Sequence, residues 1–254
     1  MLRRSEVGMR KWFGMSAVFL GACGTPANAI DENPSGDHDT DVSPDTAETE
    51  ETGETADTSE TNDTEDTGCP PVTDETVTAI VTDIDETMTT ADSEWLAQLA
   101  DPTHDPAMRP EANELMWEWH ERGYRIFYVT ARGEDFPLLD GSSSREATMA
   151  WLDAHDFPYE SEQDVFLSSA FIEFDPAGYK TEVLSGLQDQ GFELVYAYGN
   201  ADTDIEAYKA VGIPNAEQFL VGDLAGTLEV TGITNEDAYA NHRLDWPELA
   251  PCGH

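Results

Sequence analysis

The 254-residue chain is poor in positive charge. It has 12 Lys and Arg residues against 53 Asp and Glu residues, which gives a formal net charge of −41. This balance argues against nucleic acid as a partner, because binding to a phosphate backbone depends on Lys and Arg. Steady attachment to anionic lipid is disfavoured for the same reason. The excess of acid favours solubility, and it makes each of the few basic residues conspicuous.

Apolar runs are also scarce, apart from one near the amino terminus. Several basic residues precede the apolar stretch Trp12–Ala22, which is the order found in a signal peptide. The stretch is too short to span a bilayer comfortably as a permanent helix. It ends in Leu20-Gly21-Ala22-Cys23, which resembles a bacterial lipobox. We therefore expect residues 1–22 to be a lipoprotein signal peptide and Cys23 to be the lipidated first residue of the mature protein.

Two cleavage sites fit this leader. The apolar run directly before Cys23 favours lipidation, whereas ordinary cleavage after Ala27-Asn28-Ala29 fits a small-x-small pattern. Gly24 follows the cysteine, and by resemblance to known lipoproteins it favours outer-membrane sorting in a cell with two membranes. We expect an exported lipoprotein that is held by its lipid anchor at the outer membrane or facing the periplasm.

The next segment has no Lys or Arg and almost no apolar side chains. Asp31–Gly68 contains 15 Asp and Glu residues, many Thr residues, and no Lys or Arg. Such a composition cannot bury enough apolar surface to offset the entropy of the chain, so the segment is predicted to be disordered. Because like charges repel and extend a chain, we expect residues 23–68 to be a tether between the anchor and residues 69–254.

Cysteine is scarce: the chain has three, and none lies between Cys69 and Cys252. These two stand at the ends of the remaining 186 residues, which carry a formal charge of −29 and are enough for one α/β domain with a sizeable core. Because domain termini are often close in space, the two cysteines of an exported protein are predicted to form a disulfide. Two independent thiols are the alternative.

Strand and helix patterns alternate along residues 69–254, which predicts a parallel, doubly wound α/β sheet. Strands are expected at Thr78–Ile84, Tyr124–Val129, Asp164–Leu167, Glu193–Tyr198 and, as the last, Phe219–Val221. Helices are expected near Trp95 and at 110–123, Ser144–His155, Pro176–Gln190 and Thr203–Val211. Fewer than fifty residues separate Thr87 from Thr130 and Arg132 from Lys180. We therefore expect no large cap domain and an open site.

Two acids follow the first predicted strand. Asp83 and Asp85 fall at its carboxyl end, where open α/β sheets place their ligands. Being two residues apart, they point roughly the same way, so their charges repel unless a cation lies between them. Mg²⁺ suits that position, since it binds through one or two carboxylates and keeps water and phosphate oxygens. The pattern suggests that Asp83 is a nucleophile forming an aspartyl-phosphate and that Asp85 is an acid and base.

Three further motifs follow along the chain. Thr130 and Arg132 end the second strand, Lys180 lies in the helix after the third, and Asn200 and Asp204 follow the fourth. With the paired acids, this order resembles the haloacid-dehalogenase phosphatase superfamily and implies its Rossmann-like fold. The resemblance implies that Thr130 and Lys180 bind phosphate. It also implies that Asn200 and Asp204 join the two acids around Mg²⁺, which helps to stabilise the charge of a phosphoryl transition state.

Each of these motifs has a simpler alternative. The paired acids would be solvated residues at a strand end, and Lys180 would be a solvated helix cation. Asn200 and Asp204 would belong to a polar turn whose helix cap is Thr203 or Asp202.

Within that superfamily the chain resembles the lipin-type phosphatidate phosphatase domain. The similar phrases are VTDIDETMTTAD at Val81–Asp92, GYRIFYVTAR at Gly123–Arg132, GYKTEVL at Gly178–Leu184 and GNADTDIEAYKAVGIP at Gly199–Pro214. Together they cover most of the domain. One departure is Glu86, where lipin-type domains usually have Gly. At that position D-I-D-E-T resembles bacterial secreted acid phosphatases instead.

The resulting expectation is a Mg²⁺-dependent phosphomonoesterase, monomeric and tethered to a membrane, that acts on phosphatidate or a similar lipid phosphate. A broad-specificity secreted acid phosphatase or nucleotidase is the alternative within the same class. A non-catalytic phospholipid-binding module is the alternative of a different class, because some lipin-like domains in lipid-transfer proteins have lost the catalytic aspartates. The presence of Asp83 and Asp85 argues against that module.

Overall fold

The computed structural model describes Cys69, residues 76–235 and residues 239–253. The predicted signal peptide, Cys23 and the acidic segment 31–68 lie outside these residues, so their predicted roles stay predictions. Among the helices that are described, none is long and apolar enough to cross a membrane.

Six strands form one parallel sheet at the centre of the domain. In chain order they are β1 Val77–Thr82, β2 Arg125–Gly133, β3 Val165–Ser168, β4 Phe192–Gly199, β5 Gln218–Val221 and β6 Thr231–Ile233. Across the sheet the order is β3-β2-β1-β4-β5-β6, and each neighbouring pair is parallel. The predicted doubly wound α/β class is confirmed. The chain changes direction across the sheet between β1 and β4, which is where such folds bind ligands.

Helices cover both faces of the sheet. They are α1 Asp92–Ala100, α2 Ala112–Glu121, α3 Ser144–Ala154, α4 Pro176–Asp189, α5 Asp202–Ala210 and α6 Ala240–Leu249. Side chains of α2 and α3 join the core on one face, and side chains of α4 and α5 join the core on the other. The predicted core stripe of α2 is confirmed, because Leu115, Met116 and Trp119 are all fully buried.

The central strand β1 is buried on both sides, as its apolar sequence predicts. Ile80 belongs to the cluster that contains Trp119, whereas Val81 belongs to the cluster that contains Leu184 and Ile205. Close packing on both faces leaves the strand little freedom to move. The residues directly after β1 are therefore positioned by the whole core.

Side-chain caps fix where two of the helices begin. Ser143 and Glu146 each accept a hydrogen bond from the backbone N–H of the other, and this capping box starts α3. Asp175 accepts from the N–H of Gly178, with Pro176 at the first position of α4. The start of α4 is important for the site, because Lys180 lies in its second turn.

Two predicted strand boundaries are corrected. Phe219–Val221 is not the last strand, since β6 and α6 follow it. β6 has only three residues, and the central one is Gly232. No apolar alternation therefore marks this strand in the sequence. β1 ends at Thr82 rather than Ile84, because the backbone leaves the ladder as it reaches the two acids.

The connections at the carboxyl edge of the sheet are short, as predicted. Residues 83–124 between β1 and β2 hold α1 and α2, and residues 134–164 between β2 and β3 hold α3 and one 3-10 turn. Neither connection contains a separate cap domain. The carboxyl ends of the central strands therefore face an open cleft.

The two ends of the domain are joined. Cys69 and Cys252 form a disulfide, as predicted, with 5.6 Å between their Cα atoms. The N–H of Gly253 donates to the carbonyl of Arg122 at 2.8 Å, and the hydroxyl of Tyr124 donates to the carbonyl of Pro251 at 2.9 Å. These contacts hold the carboxyl-terminal segment beside the turn before β2, at the edge of the sheet opposite the cleft.

His242 on α6 gives the stability of the fold a pH dependence. Burial lowers the pKa of His242 to about 4. The unfolded histidine takes up a proton below about pH 6.5, whereas the buried one does so only near pH 4. The contribution of neutral His242 to the unfolding free energy is therefore complete above about pH 6.5 and is lost as the pH falls toward 4. At about pH 5 we expect the wild type to lose about 2 kcal/mol more of its unfolding free energy than a His242→Gln variant.

Urea unfolding followed by tryptophan fluorescence measures this difference. Gln keeps a polar atom near the Tyr198 hydroxyl, which lies 2.8 Å from His242 Nε2. Equal losses in the two proteins between neutral pH and about pH 5 would contradict the assignment.

Candidate active site

Residues at the carboxyl end of β2 meet residues that follow β1, β3 and β4 in one open cleft of about 430 Å³. The cleft is lined by all six side chains that the sequence predicted at the site: Asp83, Asp85, Thr130, Lys180, Asn200 and Asp204. Arg132 and the α1 side chains Trp95 and Leu96 lie among them. The structure therefore brings the six predicted side chains together in one cleft.

Lys180 lies between two carboxylates at the floor of the cleft. Its Nζ donates to Asp83 Oδ1 at 2.6 Å and also to Asp204 Oδ1. All three side chains are nearly inaccessible, with relative exposures of 5%, 6% and 1% for Lys180, Asp83 and Asp204. A lysine buried this deeply is not the solvated helix cation of the simpler alternative.

The pKa values of Asp83 and Lys180 are both raised, for different reasons. Burial raises the pKa of Asp83 to about 7, and the nearby carboxylates of Asp204 and Asp85 add to the rise against the attraction of Lys180. Burial alone would lower the pKa of Lys180, but Asp204 and Asp83 outweigh it and raise that pKa above its ordinary value. Lys180 therefore stays charged, and Asp83 needs further positive charge to be fully ionised at neutral pH.

Asp204 has two functions in the structure. Its second oxygen, Oδ2, accepts hydrogen bonds from the backbone N–H groups of Asn200 and Ala201, each at 3.0 Å, at the start of α5. A Cβ at Gly199 would stand 2.5 Å from the Cβ of Asp204, so glycine is required there. The helix-cap alternative is thus partly right: Ala201 is the N-cap residue, and Asp204, at the third position of α5, accepts from the backbone N–H of Ala201. These hydrogen bonds fix the carboxylate against Lys180.

Asp85 is paired with a different cation. Arg132 Nη2 donates to Asp85 Oδ1 at 2.7 Å, Arg132 Nε donates to Asp85 Oδ2 at 2.9 Å, and the Thr130 hydroxyl donates to Oδ2 at 3.0 Å. Burial would raise the pKa of Asp85, but Arg132 and Thr130 outweigh it and lower that pKa below its ordinary value. In the structure each of the two acids thus faces its own basic side chain: Lys180 contacts Asp83, and Arg132 contacts Asp85.

Arg132 lines the cleft, although no role was predicted for it from the sequence. Its guanidinium lies 4.4 Å from the centre of the Trp95 ring, and its Nη1 donates to Thr148 Oγ1 at 2.9 Å. These contacts fix the plane of the guanidinium against Asp85. One signal was present in the sequence, because Arg132 is one of only eight basic residues in a strongly acidic domain.

Oxygen atoms suited to a hard cation face each other across Thr87. The Thr87 hydroxyl lies 3.3 Å from Asp83 Oδ2 and 3.2 Å from Asn200 Oδ1. No Lys or Arg among the described residues hydrogen-bonds to either oxygen, whereas both oxygens of Asp85 and of Asp204 already accept hydrogen bonds. The described residues contain no group of three His, Cys, Asp or Glu side chains close enough to form a metal site by themselves. The donors nevertheless fit Mg²⁺, which takes one or two protein carboxylates and fills its shell with water and phosphate oxygens.

Glu86 has an unusual backbone conformation beside these oxygens. Its φ of 55° lies in the left-handed region that glycine adopts most easily, which accounts for the glycine usual in lipin-type domains. Arg109 Nη2 donates to the Glu86 carbonyl at 2.7 Å, and Asn200 Nδ2 donates to Glu86 Oε2 at 3.3 Å. Partial burial, then the charges of Asp92 and Asp223, raise the pKa of Glu86. The carboxylate is thus held at the rim of the cleft.

Most of this domain is similar in sequence to known proteins. The family described as PITM 1-3, LNS2 domain, matches residues 80–222. The chain is 28% identical over 152 residues to protein retinal degeneration B of Drosophila melanogaster, covering 59% of this chain and 11% of that protein. It is 27% identical to the mouse membrane-associated phosphatidylinositol transfer protein 3, covering 59% of this chain and 14% of that protein. The chain thus matches only about a tenth to a seventh of the length of these relatives.

Solved structures give weaker similarities. A candidate HAD-like phosphatase of Mesorhizobium loti is 14% identical, with a TM-score of 0.46, over 69% of this chain and 88% of that one. An apo phosphoserine phosphatase is 12% identical, with a TM-score of 0.41, over 66% of this chain and 99% of that one. The family match covers more than half of the chain, from β1 to the end of β5. The chain belongs to the LNS2 domain family.

Proposed function

We propose that this LNS2 domain is a Mg²⁺-dependent phosphomonoesterase that acts through an aspartyl-phosphate on phosphatidate or a similar lipid phosphate. The observation that carries the proposal is the buried contact of Lys180 with Asp83 at the floor of an open cleft, with Asp85 held separately by Arg132. A binding module would need cations for a phosphate, but it would not need two carboxylates with separate partners.

Asp83 is the proposed nucleophile. Its carboxylate lies at the floor of the cleft, where Lys180 fixes one oxygen and leaves the other facing Thr87. Attack of the carboxylate on the phosphorus breaks the bond to the leaving alcohol and leaves the phosphoryl group on Asp83. The ammonium group of Lys180 is placed to offset the negative charge that gathers on the phosphoryl oxygens.

Asp85 is the proposed acid and base. In the free protein Arg132 and Thr130 keep its pKa low, so it is ionised and suited to take a proton from the water that hydrolyses the aspartyl-phosphate. A bound phosphate would compete with Asp85 for the same Arg132 and Thr130 donors. This competition raises the pKa of Asp85 and lets it carry the proton that the leaving alcohol needs.

Mg²⁺ would be held by Asp83 Oδ2 and Asn200 Oδ1, with Asp204 and Asp85 nearby as additional negative charge. When bound, it supplies positive charge to the phosphate and to the nucleophile. The raised pKa of Asp83 supports this proposal, since a carboxyl with a pKa of about 7 is only partly ionised at neutral pH without further positive charge.

A lipid phosphate is supported by two observations. Curated relatives are named phosphatidylinositol transfer proteins, which handle a phospholipid according to their name. The cleft is open and carries the apolar side chains Trp95 and Leu96 on one wall. We further propose that the domain is monomeric and is exported as a lipoprotein, with Cys23 as its anchor and residues 23–68 as its tether.

A soluble phosphomonoester is the second candidate substrate class. Glu86 favours it, because a carboxylate at the rim of the cleft repels an anionic lipid surface. A nucleotidase or broad acid phosphatase would use the same Asp83 and Asp85, so only the preferred substrate separates the two candidates.

Phosphate release tests both the chemistry and the substrate. With Mg²⁺ and detergent micelles, we expect phosphatidate to give a higher kcat/KM than nucleotide or sugar monophosphates, and EDTA to abolish all release. Asp83→Asn should lower release by about three orders of magnitude or more, because it removes the nucleophile. Asp189→Asn, at an exposed position of α4, is the control and should keep full activity.

Two outcomes would contradict parts of this proposal. Retention of more than a few per cent of the rate in Asp83→Asn would reject the nucleophile. Hydrolysis of nucleotide monophosphates with no action on phosphatidate in any presentation would establish the acid phosphatase instead.

Arg132→Lys tests how Asp85 is positioned. Lysine cannot make the two-point contact with Asp85, so the pKa of Asp85 should rise and the acidic limb of the kcat–pH profile should move to higher pH. We also expect kcat to fall by about 10- to 100-fold at neutral pH. Arg243→Lys, whose Arg contacts Glu111 and Glu118 away from the cleft, is the control. An unchanged profile with lower kcat would mean that Arg132 has a structural role only.

A further inference from the structure

Exposed apolar side chains are distributed unevenly over the domain. Eight large apolar side chains are exposed among the described residues, and five of them surround the cleft or lie in the loops directly after β2 and β3: Leu96, Leu139, Phe171, Ile172 and Phe174. We call these five the apolar rim. Two more, Leu224 and Leu228, follow β5, and Leu244 on α6 is the exception. The loops at the opposite edge, before β2, β3, β4 and β5, carry none.

Part of the apolar rim borders the cleft. Leu96 is 63% exposed and also lines the cleft beside Asp92 and Trp95. Phe174 is 88% exposed and lies two residues before Pro176, which lines the same cleft. A partner seated on the rim would therefore lie at the point where substrate enters.

The loop that carries three of the rim residues is held in place by specific contacts. Ser168 Oγ donates to Glu173 Oε2 at 2.6 Å, and the N–H of Asp175 donates to Glu173 Oε1 at 2.8 Å. The Phe171 ring stacks on Phe136 with 4.5 Å between their centres. A Cβ at Gly133 would stand 2.4 Å from the carbonyl oxygen of Phe171, so β2 and this loop are in close backbone contact. Exposure of Ile172 and Phe174 is thus a feature of an ordered loop.

The charges around the rim restrict its partner. The segments 134–143 and 169–175 contain Glu134, Asp135, Asp140, Glu173 and Asp175, and they contain no Lys or Arg. Acidic groups between apolar side chains repel an anionic surface and attract the outward ammonium groups of zwitterionic headgroups. Apolar side chains of this size are at the same time suited to the headgroup and acyl boundary.

We infer that the apolar rim is a docking surface for a zwitterionic lipid bilayer, which holds the mouth of the cleft against the membrane. This inference deepens the proposed function, because it places the lipid phosphate at the entrance of the site. It does not need the lipid anchor at Cys23, since the rim contacts the bilayer directly. The anchor would raise the local concentration of the domain at the membrane, and the rim would orient it.

Vesicle binding tests the rim separately from catalysis. The chain from position 23 onward, carrying Cys23→Ser so that neither the predicted signal peptide nor an acyl chain contributes, is sedimented with phosphatidylcholine vesicles. We expect Leu139→Ser together with Phe174→Ser to weaken binding at least about five-fold, because each substitution removes apolar area from the bilayer contact. Leu244→Ser is the matched control, since Leu244 is 71% exposed and Leu139 is 78% exposed. The control should bind like the parent protein.

Activity is measured on the same proteins in two presentations. The rim variant should hydrolyse phosphatidate in phosphatidylcholine vesicles about five-fold or more slowly, while its rate on a soluble aryl phosphate should be unchanged. If neither the parent protein nor any variant releases phosphate from any substrate, the proposed function fails. The binding measurement still decides whether the apolar rim docks on a bilayer. If the parent protein binds vesicles and the rim variant binds them less, but neither releases phosphate, the docking surface is supported and the proposed enzymatic activity is rejected.

Four results would overturn the proposal that the apolar rim docks on a bilayer. The parent protein would fail to bind phosphatidylcholine vesicles or would bind only anionic ones. Leu244→Ser would lose as much binding as the rim variant, or the rim variant would bind like the parent. A concentration-dependent dimer that the rim variant abolishes would assign the surface to a second copy of the chain instead. Because the substituted side chains are exposed, their thermal midpoints should match the parent, and this excludes unfolding as the cause.

Discussion

The arrangement of the site depends on the buried ammonium group of Lys180. It is held between Asp83, which follows β1, and Asp204, which begins α5, and it comes from the second turn of α4. Three elements that are far apart in sequence are therefore fixed by one cation. A buried charge that loses one of its partners costs about 3–5 kcal/mol, so none of the three side chains can be changed alone without strain on the others. The caps of α4 and α5 at Asp175 and Asp204 are part of the same constraint.

A second, separate ion pair gives the two aspartates different properties. Arg132 lowers the pKa of Asp85, whereas burial and neighbouring carboxylates raise the pKa of Asp83. Two like residues at one strand end are thus prepared for different proton states by the residues that face them. The remaining oxygens, on Asp83 and Asn200, point to the same region near Thr87, where additional positive charge would complete the site. Glu86, in its left-handed conformation, closes this region with one more carboxylate.

Much of the site could be predicted from the sequence, because its motifs stand at the carboxyl ends of predicted strands. Asp83 and Asn200 directly follow apolar strands and Thr130 lies near the end of β2, and parallel strands bring their carboxyl ends to one edge. The pairing of cations with carboxylates could not be predicted, since it depends on the distance between α4, β2 and the loop after β1. The strand β6 was missed because three residues carry no period. The left-handed backbone of Glu86 was missed because a glutamate does not indicate a positive φ, which glycine adopts far more easily.

The formation of an aspartyl-phosphate on Asp83 is tested most directly by chemical trapping during turnover. Acid quenching followed by borodeuteride reduction converts an aspartyl-phosphate to deuterated homoserine, which peptide mass spectrometry locates. The proposed chemistry predicts homoserine at position 83 in the presence of Mg²⁺ and substrate, and none at Asp85 or in protein quenched without substrate. Rapid phosphate release with Asp83 unmodified at every quench time, or with homoserine at position 85, would contradict it.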